Sequence, residues 1–187
     1  MRFVVIYDAC VLYPAPLRDL LLRLALTGLF AARWSEQIQQ EWTRNVLINR
    51  PDLSDKLPRT VELMNSAVPD ALVTGHEPLI EGLTLPDVDD RHVLAAAIRA
   101  GAQLIVTFNL RDFPAAQLLP FGVEAVHPDE FITQQFDLHE GRILSAVHAH
   151  RQSLRNPPKT IAEYLDTLAA QGLVVTVERL RRFADVL

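Results

Sequence analysis

The stretch Phe3-Val4-Val5-Ile6-Tyr7-Asp8 decides how the rest of the chain is read. Five apolar residues, two of them valine and one isoleucine, are too few for a helix and suit a strand buried on both faces. An acid follows at once. Leu104-Ile105-Val106-Thr107 repeats the pattern a hundred residues later, and Val123 to Val126 and Ala71-Leu72-Val73 offer two further short strands. Between them the periodicity is helical. Leu17 to Leu26 is mostly apolar, and Ser35 is a good N-cap for a helix through Asn49, which Pro51 ends. Ile38, Trp42 and Val46, spaced by four, define its buried face. Asp52 to Ser66 predicts another helix. The turn Leu85-Pro86-Asp87-Val88-Asp89-Asp90 feeds a helix that Gly101 stops. Asn109 to Pro114 reads as a loop, and Asp129 as the cap of a helix running into the segment beyond. Strands alternating with helices predict an α/β fold around a parallel sheet.

Composition sets bounds on this reading. The chain has 187 residues, 49% hydrophobic and 22% charged, which is ordinary for a globular protein and too apolar for a disordered one. A single cysteine, Cys10, excludes an internal disulfide framework and a multi-cysteine zinc site. The first residues lack the apolar core of a secretory signal, and no apolar run suits a bilayer, so a cytoplasmic location is expected. The net charge of −5 gives no global basic field. Its distribution is uneven. Residues 1–137 carry 18 acids and 11 bases, residues 138–187 carry 5 acids and 7 bases, and 16 of the 18 bases are arginine. The same boundary separates the strand-bearing part, 1–137, from a tail of helical patterns, 138–187. Thr160 to Ala170 reads as a helix there, and Glu178 to Phe183 as another. Arg179, Arg181 and Arg182 either form a phosphate-binding edge or decorate an amphipathic helix whose Leu180 and Phe183 pack inward.

Ligands of open parallel sheets bind beyond the carboxyl ends of the strands. The acids there are Asp8 after the first strand, Asp87, Asp89 and Asp90 in the turn opening a helix, and Asp112, with Asn109, past the Leu104–Thr107 strand. Glu41 sits on an early helix able to face the same end. Carboxylates gathered at one mouth repel one another unless a cation neutralises them, and hard cations such as Mg²⁺ and Mn²⁺ prefer oxygen ligands. Such a centre activates water and stabilises displacement at phosphorus. Each residue also has a plainer role available: an Asp after a strand is often a turn residue, and an acid at a helix start often a cap. The six histidines make no ligand set. His92 is read as structural or solvent-facing, and Cys10 as a small buried residue.

Val4 to Leu12, Trp34-Ser35-Glu36 through Glu41, Asp90-Arg91-His92-Val93-Leu94-Ala95-Ala96-Ala97, and Leu104-Ile105-Val106-Thr107-Phe108-Asn109-Leu110-Arg111-Asp112-Phe113 follow one another in an order and spacing that resembles a PIN domain. The similarity is to the VapC-type toxins of bacterial toxin–antitoxin pairs and covers about residues 1–136. It implies a three-layer α/β/α fold and an endoribonuclease with a Mg²⁺- or Mn²⁺-dependent acidic site. Asp8, Glu41 and Asp90 match three of the family's acids. Many relatives carry Asp two residues after the threonine of the last motif. Asn109 stands there in this chain, so the fourth acidic role falls to Asp112 with Asn109 assisting. Thr107 would hold a water or a neighbouring carboxylate. The resemblance further implies an RNA substrate, a cognate antitoxin and a homodimer. The competing reading is a degenerate PIN-like scaffold that binds RNA or protein without cleaving, motivated by Asn109. A haloacid-dehalogenase-like phosphatase is disfavoured because Cys10 stands where its second Asp is needed and no lysine lies between Lys56 and Lys159. A dinucleotide enzyme is disfavoured by the lack of a glycine-rich turn after the first strand.

Overall fold

The structure, a computed structural model, describes residues 3–187. The elements run β1 (Val4–Tyr7), α1 (Ala9–Leu12), α2 (Ala15–Ala25), β2 (Ala31–Ser35), α3 (Glu36–Asn49), α4 (Leu57–Ala67), β3 (Leu72–Val73), α5 (Glu77–Ile80), α6 (Arg91–Ala100), β4 (Leu104–Val106), α7 (Ala115–Leu118), β5 (Glu124–Val126), α8 (Pro128–Ser153), α9 (Ile161–Ala170) and α10 (Val174–Arg181). Two compact units result. One comprises residues 1–13 and 30–127, the other residues 14–29 and 128–187. No helix among the described residues is long and apolar enough to cross a membrane.

The first unit holds a five-stranded, wholly parallel sheet in the order β3-β2-β1-β4-β5. Val5, Ile6 and Tyr7 of β1 and Ile105 and Val106 of β4 are fully buried, as central parallel strands require. From β1 the chain winds outward through β2 to β3, then returns to the other side of β1 for β4 and β5. Right-handed crossovers place helices from these opposite windings on opposite faces, which gives the α/β/α layering. The reversal falls between β1 and β4, the position where such sheets open a crevice at their carboxyl ends. Ala95, Ala96 and Ala97 of α6 are fully buried, and side chains this small let the helix lie close on the sheet. Trp34 and Trp42 fill the space beside β2 and α3; Trp34 stacks on Tyr7 at 6.4 Å.

Several local readings change here. β2 was not expected; it pairs with β1 through Ala31, Ala32 and Arg33. The helix expected over 52–66 is two pieces, a 3₁₀ turn at Pro51–Leu53 and then α4, because Pro58 belongs in a first helical turn and starts the second piece. Ser35 does cap α3, its Oγ accepting from the Ile38 N–H at 3.2 Å. Gly101 ends α6 at φ 62°, a left-handed conformation that glycine adopts without strain.

In the second unit Leu17, Leu20, Leu21 and Leu24 form one buried stripe of α2, at helical spacing, and α2 packs on α8. α8 carries a break in its helical backbone at His139 (φ −151°, ψ 64°). Asp129 does not cap its own helix. It lies in the first turn of α8, and its carboxylate accepts from the Val175 and Thr176 N–H groups, both at 2.8 Å, capping α10 instead. Arg179 is engaged internally, donating to the Thr133 carbonyl, pairing with Asp137 and covering the Phe136 ring. With Leu180 buried, the amphipathic-helix reading holds for Arg179; Arg181 and Arg182 are exposed.

Candidate functional site

The site is assembled at the carboxyl ends of β1 and β4. Asp8 ends β1, and its backbone N–H donates to the Val106 carbonyl of β4, which ties the two strand ends together. Its carboxylate is 2% exposed. Oδ1 accepts from the Ala9 N–H at 2.7 Å, so the residue caps α1; Oδ2 accepts from Thr107 Oγ1 at 2.7 Å and from Cys10 Sγ at 3.1 Å. Thr107 in turn accepts from the Asn109 N–H at 2.9 Å, and Cys10 from the Phe108 N–H at 3.2 Å. The strand-end hydroxyl therefore serves the backbone and the acid together. Burial pushes the Asp8 carboxyl up; Thr107 and Cys10 oppose that shift, and the charge of Glu41 adds to it. Burial and the neighbouring Asp8 also push the Cys10 thiol up, so it stays a protonated donor rather than a nucleophile.

Asp90 opens α6 as its N-cap residue, but its side chain makes no capping hydrogen bond. Only 9% exposed, its carboxyl is pushed up to about 7 from an ordinary 3.8, by burial first and then by the charges of Asp8, Asp87, Glu41 and Asp112. No donor offsets the shift. Glu41, on α3, is held from α6: Nε2 of His92 donates to its Oε2 at 3.1 Å. Asp112 follows a turn in which its N–H donates to the Asn109 carbonyl at 3.0 Å. Asp87 spends its Oδ1 on the Asp89 N–H at 2.9 Å, the turn-forming role open to it from sequence.

Three other segments thus bring Asp8, Glu41 and Asp112 within electrostatic reach of Asp90, and Glu41 within reach of Asp8. Among the described residues no three His, Cys, Asp or Glu side chains are close enough to hold an ion between them directly. The donor set nonetheless has the chemistry for a hard divalent cation. It is all oxygen, and its most central member has burial and like charge around it in place of a hydrogen-bond donor. Mg²⁺ takes one or two carboxylates and keeps several waters, so it does not need a closed cage of protein ligands.

Two residues of this site were not read as such from sequence. Cys10 donates to Asp8 and receives from the β4 end, and His92 is the anchor of Glu41. Cys10 lies 97 positions from Thr107 and His92 lies 51 from Glu41, so only the fold pairs them. The one available signal was placement: Cys10 two residues after Asp8, and His92 two after Asp90.

Comparison with known proteins gives two family matches. Residues 4–111 match the model described as a PIN domain, and residues 128–182 match one described as the VapC50 C-terminal domain. A Mycobacterium tuberculosis protein named "Putative ribonuclease VapC50" is 37% identical over 111 residues, which cover 57% of this chain and 65% of that protein. The match therefore spans less than two thirds of the relative's length. No solved structure matches significantly.

Proposed function

This chain belongs to the PIN-domain family, and from that premise we propose that it is a Mg²⁺- or Mn²⁺-dependent endoribonuclease, the toxin of a toxin–antitoxin pair acting in the cytoplasm. The observation that carries the reading is the state of Asp90: a nearly buried carboxylate that declines to cap its helix and is surrounded by the charges of four other acids. Folding such a cluster costs free energy unless something positive sits in it. The name of the relative points the same way.

Asp8, Glu41, Asp90 and Asp112 would hold the metal, with Asn109 offering a neutral oxygen beside Asp112. When bound, the cation would offset part of the cluster's charge, polarise the phosphodiester and make water a competent nucleophile at neutral pH. The protein's own part is orientation. Thr107, Cys10 and the Ala9 N–H fix both oxygens of Asp8, and His92 fixes one oxygen of Glu41. Partners of this kind orient ligands and tune their affinity. A carboxylate of the cluster takes the proton released as water attacks. The substrate is RNA presented as a single strand or loop, a cognate antitoxin masks the acidic mouth, and the protein pairs as a homodimer.

Asn109, and the absence of three converging ligands among the described residues, favour one other reading, a scaffold that binds without cleaving. Calorimetric titration with Mn²⁺ separates the two. Saturable binding that Asp8→Asn and Asp90→Asn each weaken supports the nuclease; no heat of binding supports the scaffold. The toxin role is checked by expression. Growth arrest relieved by Asp8→Asn and by a co-expressed neighbouring reading frame is the expected result.

A further inference from the structure

Next to the acid cluster, a cleft of about 430 Å³ opens between α3 and the turn leading into α6. Its size suits one small ligand. Gln37, Gln40, Glu41 and Arg44 line one side, brought onto a single face of α3 by their spacing of three and four. Glu41 belongs to both the cleft and the cluster, so a molecule seated in the cleft reaches the acids directly. Unlike the cluster, whose charges are all acidic, the cleft has a mixed lining in which Glu41, Asp89 and His92 stand beside two arginines. Arg44 and Arg91 both line it, and among the described residues neither guanidinium is paired with a carboxylate. Arg91 spends its Nε on the Val88 carbonyl at 3.0 Å, which leaves both terminal nitrogens for a ligand.

The polar groups within are already oriented. His76, 1% exposed, donates from Nε2 to Gln37 Oε1 at 2.7 Å, so the Gln37 amide presents its N–H groups. Gln40 donates its own amide nitrogen to Glu36 Oε1 at 3.2 Å and presents its carbonyl. Ile80 and the 59%-exposed Val88 supply an apolar wall. Unpaired guanidinium groups suit a phosphate, an apolar wall suits the face of a base, and one fixed donor beside one fixed acceptor suits a base edge.

We propose that this cleft is the subsite for the nucleotide adjoining the scissile phosphate in single-stranded RNA. Arg44 and Arg91 hold its phosphate, Val88 and Ile80 pack on its base, and Gln37 and Gln40 read the base edge. The assignment rests on the nuclease reading above. It selects a single strand because a base stacked inside a duplex cannot enter a one-nucleotide cleft.

The test uses the full chain and its Arg44→Ala/Arg91→Ala double variant, with a fluorescently labelled single-stranded RNA of mixed sequence. Arg44 is exposed and Arg91 half-buried with a single backbone hydrogen bond, so the variant should keep its circular dichroism and its Mn²⁺ affinity. Anisotropy titrations at several salt concentrations should show about a tenfold loss of affinity. The slope of log K against log salt should become shallower by about 0.7 for each phosphate charge contact removed. In cleavage, KM should rise by about the same factor while kcat stays within twofold. If the double variant binds and cleaves like the parent with an unchanged salt slope, the subsite assignment is overturned and the nuclease reading stands. If the parent neither binds nor cleaves RNA with Mg²⁺ or Mn²⁺ present, both fall together.

Discussion

Replacing Asp90 by Asn should stabilise the metal-free protein at neutral and alkaline pH, even though it removes a group proposed to serve the reaction. The Asp90 carboxyl sits at about 7 in the fold, against an ordinary 3.8. Between those values the folded state binds more protons than the unfolded one, so stability falls as pH rises through that window. At 1.36 kcal/mol per pH unit, the full window is a ceiling of about 4 kcal/mol, of which about 2.5 kcal/mol falls between pH 5 and pH 8. Asn cannot ionise and escapes this cost. Urea unfolding in the presence of a chelator should therefore show the variant's advantage over the parent growing by up to about 2.5 kcal/mol from pH 5 to pH 8. Fluorescence is a suitable probe, because Trp34 and Trp42, the only tryptophans, are both fully buried in the unit that carries the site. Mn²⁺ at a hundred times the parent's dissociation constant at pH 8 should then narrow the gap, because it stabilises the parent by about 2.7 kcal/mol and the weaker-binding variant by less. A difference between parent and variant that stays flat with pH would refute the reasoning, because the cluster would then impose no charge penalty.

Thr107→Val keeps the side-chain volume but removes the donor to Asp8 and the acceptor for the Asn109 N–H. It should cost about 1–3 kcal/mol in urea unfolding and lower Mn²⁺ affinity about 10- to 100-fold; a stable variant with full affinity would mean that Thr107 does not hold Asp8. The second unit should respond to acid in the opposite sense from Asp90. His150, 1% exposed and bonded to the Tyr164 hydroxyl at 2.9 Å, is pushed down to about 4 by burial and then by the charge of Arg23. Its folded state binds fewer protons than the unfolded one between about 4 and 6.5. The stability it contributes is complete above that window and falls by up to about 3 kcal/mol as pH drops through it. Thermal unfolding followed by circular dichroism should show His150→Phe gaining on the parent over that range, and parallel pH profiles would show that His150 does not titrate on unfolding.

The parallel sheet was legible because its central strands are buried on both faces and so read as unbroken apolar runs. Phe3 to Tyr7 and Leu104 to Thr107 could be read in no other way. β2, Ala31-Ala32-Arg33-Trp34-Ser35, escaped notice for the same physical reason inverted. An arginine and two alanines give it neither an apolar run nor a strong β-former except Trp34, and its place is set by pairing with β1. The acids were visible one by one, and the rule that ligands gather at strand ends grouped Asp8, Asp87, Asp89, Asp90 and Asp112 without separating the two turn residues from the rest. What holds them was not visible. The bonds from Thr107 and Cys10 to Asp8 and from His92 to Glu41 cross 99, 2 and 51 positions, and even the nearest depends on how α1 turns away from β1. Asp129 shows the limit of local reading. Its place at the start of a helix predicts a cap, and it is one, but for the start of α10, 46 positions onward.

The overall charge of −5 first counts against a nucleic-acid partner. Its meaning changes on the proposed reading of Asp8, Glu41, Asp90 and Asp112 as one metal site, since each divalent cation bound there would add two positive charges where the RNA phosphate is proposed to arrive. The most direct test of that account is the cleavage of single-stranded RNA by the purified chain and by Asp8→Asn, with Mg²⁺ and with chelator. The account predicts turnover with Mg²⁺ only, and a loss of about three orders of magnitude in the variant, equivalent to about 4 kcal/mol at the transition state, with cooperative unfolding retained. Cleavage by Asp8→Asn at the parent's rate, or cleavage that persists in chelator, would contradict it.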